Sequence, residues 1–304
     1  MIRAGLLALI LTGPAGAEGL CPAAWDRVVA AFGPVGAVRG QVGQDGDWCV
    51  VDGLVLDLEG PYLPDWHADR LRFRGSALGW LVEGAGSPDS LEIGVEGLRL
   101  VVQTGNAQLD WLYAAQARAN TIQAQATLGW DPAEKVLRLE GLSIDFPGDN
   151  LVDLSAVVRG VDLSSTGAMQ MSLTGFAVTE ADLAVTMHGL FEGWLLMPLG
   201  SALLPVEGDM DVAAEGVRAD LLAGVAALPE TVVPPDGKAA LRALILDLPN
   251  PAGDLTVSLR SEAGIGPARL APWAMTAGSG TSAGAATVLE GATVDVGWTP
   301  AEAP

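Results

Sequence analysis

The chain has 304 residues, half of them apolar, with 16 basic against 37 acidic residues and a formal charge of −21. Such a field repels nucleic acid and anionic lipid surfaces, and with lysine limited to Lys135 and Lys238 no polybasic patch offsets it. A chain this long buries a sizeable core, and its apolar excess, mostly Ala, Val, Leu and Gly, suits either a tightly packed sheet protein or one with an apolar groove.

Arg3, the apolar run Gly5 to Leu11, Gly13-Pro14 and then Ala15-Gly16-Ala17 make a secretory leader cleaved after Ala17. The run falls short of the about 20 apolar residues that a membrane span requires, so residues 1–17 read as a leader and the remainder as a soluble periplasmic protein. Cys21 follows Leu20, beyond that cleavage site, which argues against a lipoprotein. In an oxidising compartment the pair Cys21 and Cys49 reads as one disulfide. It closes a loop of about 28 residues, stabilising by roughly 3 to 4 kcal/mol on the chain-entropy account. A metal site is not expected, because His67 and His188 are the only histidines available to complete it. Pro22 to Phe32 reads as a short amphipathic helix, with Pro22 in its first turn and Gly33-Pro34 ending it.

Strand patterning then takes over. Ile122, Ala124, Ala126, Leu128 and Trp130 alternate with polar or small residues, Asp131-Pro132 makes a turn, and Val136 to Phe146 returns as the second arm of a hairpin. A six-residue unit recurs: apolar, any, Gly, apolar, any, apolar. It occurs at Val51-Asp52-Gly53-Leu54-Val55-Leu56, Val95-Glu96-Gly97-Leu98-Arg99-Leu100, Leu139-Glu140-Gly141-Leu142-Ser143-Ile144 and Leu173-Thr174-Gly175-Phe176-Ala177-Val178, with a looser copy starting at Val158. The first three start 44 residues apart. A strict alternation would throw the residues after the glycine onto the opposite face. One extra residue at the glycine, taken up as a β-bulge, restores the face and bends the strand. The expected fold is therefore α+β and β-rich: a long curved antiparallel sheet with bulged strands and one apolar face, with helices of the C-terminal half packing on it.

The β-rich region covers residues 18–180. Residues 181–298 mix helix and strand in the same compact unit, with a soft boundary near Thr179 to His188, and 299–304 form a disordered tail. His188 to Leu204 reads as a largely buried helix or helical loop, interrupted near Pro198. Gly216 to Leu228 and Gly237 to Leu248 are helix candidates, Asp254 to Arg260 alternates as a strand, Thr276 to Ala286 is a flexible connection, and Thr287 to Trp298 is a last strand.

No nucleophile elbow, phosphate loop, zinc-protease signature or dinucleotide fingerprint occurs. Asp65-Trp66-His67-Ala68-Asp69 is the best catalytic-looking cluster, a histidine flanked by carboxylates, set against the reading of a solvated loop histidine. His188 reads as a cap or turn residue. The pairs Asp145 with Asp149 and Asp209 with Asp211 lack a calcium-binding frame, and their expected role is to keep outward faces wet. Phe191, Trp194 and Met197, on successive helical turns, are the candidates for the mouth of an apolar cavity, with core packing as the competing role.

The glycine unit, over about residues 45 to 180, resembles the short strand repeats of the periplasmic parts of AsmA-like proteins and allied envelope families. That resemblance implies a curved sheet with an apolar concave face. The function expected is that of an exported, non-enzymatic envelope protein binding a lipid or other apolar ligand in the sheet's groove, with no cofactor and no nucleic-acid partner. The alternative is an envelope interaction module whose sheet its own helices cover. An outer-membrane barrel is disfavoured by its missing tyrosine girdles and its helices, and a hydrolase by its lack of an organised centre.

Overall fold

The computed structural model describes residues 19–33, 36–58, 64–84, 87–276 and 288–302. The leader at 1–17 with its cleavage site, the connection from 277 onward and residues 303–304 lie outside that set.

Ten strands form one antiparallel sheet, in which each pairs with the next in sequence. They are β1 (Ala37–Asp45), β2 (Trp48–Asp57), β3 (Asp65–Arg74), β4 (Ser90–Val101), β5 (Ile122–Asp131), β6 (Val136–Phe146), β7 (Asn150–Arg159), β8 (Ala177–His188), β9 (Ala252–Ile265) and β10 (Ala292–Pro300). The fold class is the expected one, α+β and β-rich. β8 spans the soft boundary near residues 179–188 and simply continues the sheet. β10 runs through Thr299 and Pro300, which were expected in the tail.

Tight turns join β1 to β2 at Gly46, β5 to β6 through Asp131–Lys135, and β6 to β7 at Gly148-Asp149. In the second of these, the Asp131 carboxylate accepts the Ala133 and Glu134 amides. Other connections carry helices: α2 (Ala77–Glu83) between β3 and β4, α3 (Ala107–Ala119) between β4 and β5, α4 (Thr166–Gly175) between β7 and β8, and α8 (Pro267–Thr276) between β9 and β10. The long excursion from β8 to β9 holds a π-helical turn (Phe191–Leu195), α5 (Leu196–Leu203), α6 (Met210–Ala227) and α7 (Pro235–Asp247). Helix α1 (Leu20–Phe32) precedes β1.

Three of the five glycine units behave as their spelling requires. Val95 and Leu98 of β4 face Ala124 and Ile122 of β5, so three residues span two and both leucine and valine stay on one side. Leu139 and Leu142 of β6 face Ala156 and Leu154 of β7 in the same way, and in β2 Asp52 and Val55 stand opposite Gln41 and Arg39. Gly53 and Gly97 take left-handed φ values of 62° and 66°, which a side chain resists. The other two units do something else. Leu173, Thr174 and Gly175 end α4 and Phe176 caps it, while Gly160, at φ 77°, turns the chain out of β7.

The core sits at one margin of the sheet. Helix α1 and helix α2 cover Cys49, Val51 and Phe73, with Cys21, Ala24, Trp25 and Leu78 buried between. The Cys21–Cys49 disulfide, with Cα atoms 5.2 Å apart, ties α1 to β2. At the other margin α7 lies along β10, where Gly237 fits against the backbone of Val294 and Val296, and the Val294 amide donates to the Val232 carbonyl at 2.7 Å. Helix α6 packs against α7.

The segment expected to be largely buried, His188 to Leu204, is not. Leu190 is buried, but Leu195, Leu196, Leu199 and Leu203 are exposed, and Met197 is 76% exposed. The interruption comes at Leu195/Leu196, where the π turn hands over to α5, so that Pro198 occupies the first turn of α5.

Candidate functional site

The paired residues trace apolar rows straight across the sheet. One runs Ile93, Ala126, Leu142, Leu154, Leu183, Val257 and Val296, and the next runs Val95, Ala124, Ile144, Val152, Val185, Leu255 and Trp298. On the margin these rows disappear under α1, α2 and α7. From β5 to β8 no described helix packs along them, and their side chains are only half-buried. The opposite face carries Gln125, Ser143, Asp153, Ser155, Asp182 and Thr256, around a shallow depression of about 520 Å³. Among the described residues the middle of the sheet is thus a single layer, whereas folds ordinarily bury an apolar sheet face against a second layer.

At the end of the apolar face where β4 and β8 terminate, a cleft of about 430 Å³ opens between α3 and the π turn. Asn106 caps α3, accepting the Gln108 and Leu109 amides, and Asp110 accepts the Thr104 amide and hydroxyl at 2.7 and 2.8 Å, which fixes how the helix leaves β4. On the other side Gly189, at φ 93°, turns the chain at the end of β8, and the π turn swings Trp194 back over β6, where it packs on Phe146 with ring centroids 5.4 Å apart and planes at 59°. Leu100, Val102, Ala117 and Trp194 give the cleft apolar walls, and Tyr113, Gln116 and Asn120 give it polar ones.

Of the three residues expected at an apolar mouth, the structure places Trp194 in this cleft. Phe191 and Met197 do not line it. Sequence reasoning missed Tyr113, Gln116 and Asn120 together with the helix that carries them. The capping Asn106 followed by Ala107, Leu109, Leu112 and Ala115 was the available signal.

The chain matches no family model and no curated protein.

The histidine cluster is not in a loop, as expected, but on β3. His67 shares a face with Val55 and Arg99; burial first, then the Arg99 charge, pushes its pKa below 6.5, and its Nε2 has no hydrogen-bond partner among the described residues. Both neighbouring carboxylates are engaged elsewhere: Asp65 accepts from Gln103 Nε2 at 2.7 Å, and Asp69 from Arg99 at 2.7 Å. His188 ends β8, its amide donating to Asn150 Oδ1. Asp209 is the cap of α6, and Asp145 and Asp149 sit on β6 and in the turn after it. No trio of histidine, cysteine or acidic residues among the described residues is arranged to hold a metal. On the polar face, Trp48 lies under the guanidinium groups of Arg72 and Arg74, 5.0 and 4.4 Å from its ring. The chain's two cysteines are joined, and no described helix is long and apolar enough to cross a membrane.

Proposed function

We propose that this chain is an exported periplasmic envelope protein that holds a lipid or another apolar ligand against the uncovered middle of its sheet, and that its work is binding rather than catalysis. One observation carries the reading: two apolar rows cross β5 to β8 with no described helix packed along them, which leaves half-buried apolar surface that a ligand would cover. The leader-like residues 1–17 and the disulfide agree with an oxidising, extracytoplasmic site of action. The in-phase bulges of β2, β4 and β6 agree with the AsmA-like resemblance.

The test is to purify the mature protein, analyse it by native mass spectrometry and extract it for lipid, then titrate the stripped protein with a fluorescent fatty acid. Bound lipid or saturable dye uptake is expected, and Leu154→Asn, in the middle of an apolar row, should weaken uptake without altering the far-ultraviolet spectrum. Bare protein that takes up no dye would refute the reading.

A second reading, as a protein-interaction module, is favoured by the edges. The outer edge of β10 is occupied by Val232 and α7, while β1 pairs only with β2 among the described residues. Assembly through β1, with no dye uptake, would decide for it.

A further inference from the structure

One end of the sheet turns a large amount of apolar surface to solvent. β4 and β8 run in the same direction, so α3 and the π turn with α5 stand at that end together, on either side of the cleft that opens at the apolar face. From Gly193 to Val206 the chain carries no charged residue. Within that stretch Leu195, Leu196, Met197, Leu199 and Leu203 are exposed, and Val206 is 99% exposed. At about 100° per residue, those that belong to α5 cover an arc of roughly 160°. The main packing partner of α5 among the described elements is the π turn before it. On α3, Leu109, Trp111, Leu112 and Tyr113 are exposed as well, Trp111 by 65%. Asp110, the carboxylate within this run, is turned back onto Thr104.

Contiguous apolar surface of this kind marks a contact with something other than water. Neither α3 nor α5 contains a buried residue, so these side chains sit on projecting helices rather than in a groove shaped to receive a protein knob. Aliphatic tips beside a tryptophan and a tyrosine match the headgroup boundary of a bilayer, where amphipathic rings settle. At eight residues α5 is far too short to cross the hydrocarbon and suits the interface instead. Glu192 and Glu207 border the uncharged stretch and the whole chain carries −21, which sets it against anionic headgroups. We propose that this end of the molecule docks on a zwitterionic bilayer surface, with α5 and the first turns of α3 sunk among the headgroups and the cleft beside Trp194 facing the lipid. This rests on the reading of the sheet as a lipid-binding face and adds where its ligand is taken up or delivered.

The experiment is flotation of the mature chain with dioleoylphosphatidylcholine vesicles, repeated with vesicles in which about a third of the lipid is phosphatidylglycerol. Saturable binding to the neutral vesicles is expected, weakened several-fold by the anionic lipid. Met197→Asp combined with Leu203→Asp should lower the partition roughly tenfold or more, at an unchanged far-ultraviolet spectrum because both side chains are exposed. Met171→Asp combined with Leu173→Asp, at equally exposed positions of α4 at the opposite end of the sheet, should leave binding as it was. Absence of binding to either vesicle, an equal loss from the α4 pair, or tighter binding to the anionic vesicles overturns the docking surface. Self-association that the α5 pair abolishes, in a chain that binds no vesicle, overturns it in favour of a second copy as the occupant. Uptake of the fluorescent fatty acid in solution is read separately. Uptake without vesicle binding leaves the sheet reading in place and removes the docking surface, and vesicle binding without uptake counts against the sheet reading alone.

Discussion

The three bulge glycines share a spelling but not an environment, and replacing each with alanine separates the two. Gly97 has φ 66°, and an added Cβ would lie 2.1 Å from Asp69 Oδ2 and 2.5 Å from its Cγ. The left-handed backbone costs a β-carbon about 1–2 kcal/mol. Displacing the Asp69 carboxylate from Arg99 adds up to ~1 kcal/mol, kept low because the Asp69 side chain is 65% exposed. Gly97→Ala should therefore destabilise by roughly 1–3 kcal/mol, more than the backbone cost alone. Gly53, at φ 62° with nothing within 4 Å of its virtual Cβ, carries only the backbone cost, about 1–2 kcal/mol. Gly141 has neither a positive φ nor a neighbour in reach, so Gly141→Ala should be neutral, or stabilising by up to ~1 kcal/mol through the unfolded chain. Urea unfolding followed by tryptophan fluorescence gives the order of midpoints at unchanged slope. In an Asp69→Ala background the Gly97→Ala cost should drop to that of Gly53→Ala. Equal costs at all three sites, or a worst effect at Gly141, would refute the account of the bulges.

Reducing the Cys21–Cys49 bond should lower stability by about 3–4 kcal/mol, because the freed loop regains its closure entropy; identical urea midpoints with and without reductant would contradict this. Asp162, bound by Lys135 Nζ at 2.7 Å and by the Ser164 hydroxyl and amide, has its pKa held at about 2 against an ordinary 3.8. Because the folded value is the lower one, its contribution to stability is in place above pH 3.8 and is lost as pH falls toward 2. Carboxyl-detected NMR should show that midpoint, and Lys135→Ala should move it upward; a midpoint near 3.8 in the unaltered protein would rule the interaction out.

Hairpin β5–β6 was legible because alternation, turn chemistry and a matching return strand all agree between Thr121 and Phe146. The bulges were legible where the glycine lay inside such a strand. At Gly175 the same letters ended a helix, since Ser165 caps α4 through the Ala168 amide and local capping outweighed the pattern. Asp65 to Asp69 was read as a loop because charged residues depress strand propensity. The sheet compensates by pairing Asp69 with Arg99 and Asp52 with Arg70 across neighbouring strands. The leucines of α5 were expected inside because apolar side chains usually are, and here they stand exposed, beyond the end of β8. The cleft itself joins segments more than 70 residues apart, Leu100 to Trp194, a proximity that no local pattern encodes.

The extra residues in β2, β4 and β6 recur every 44 positions, once per pair of strands. Because each correction completes within its own pair, the inside–outside assignment is handed on intact to whatever strand comes next. Duplication or deletion of one such 44-residue stretch would lengthen or shorten the apolar rows by two strands, roughly 10 Å, without inverting a single side chain elsewhere. The span of the apolar rows is thus adjustable by whole-unit gain or loss rather than by point substitution.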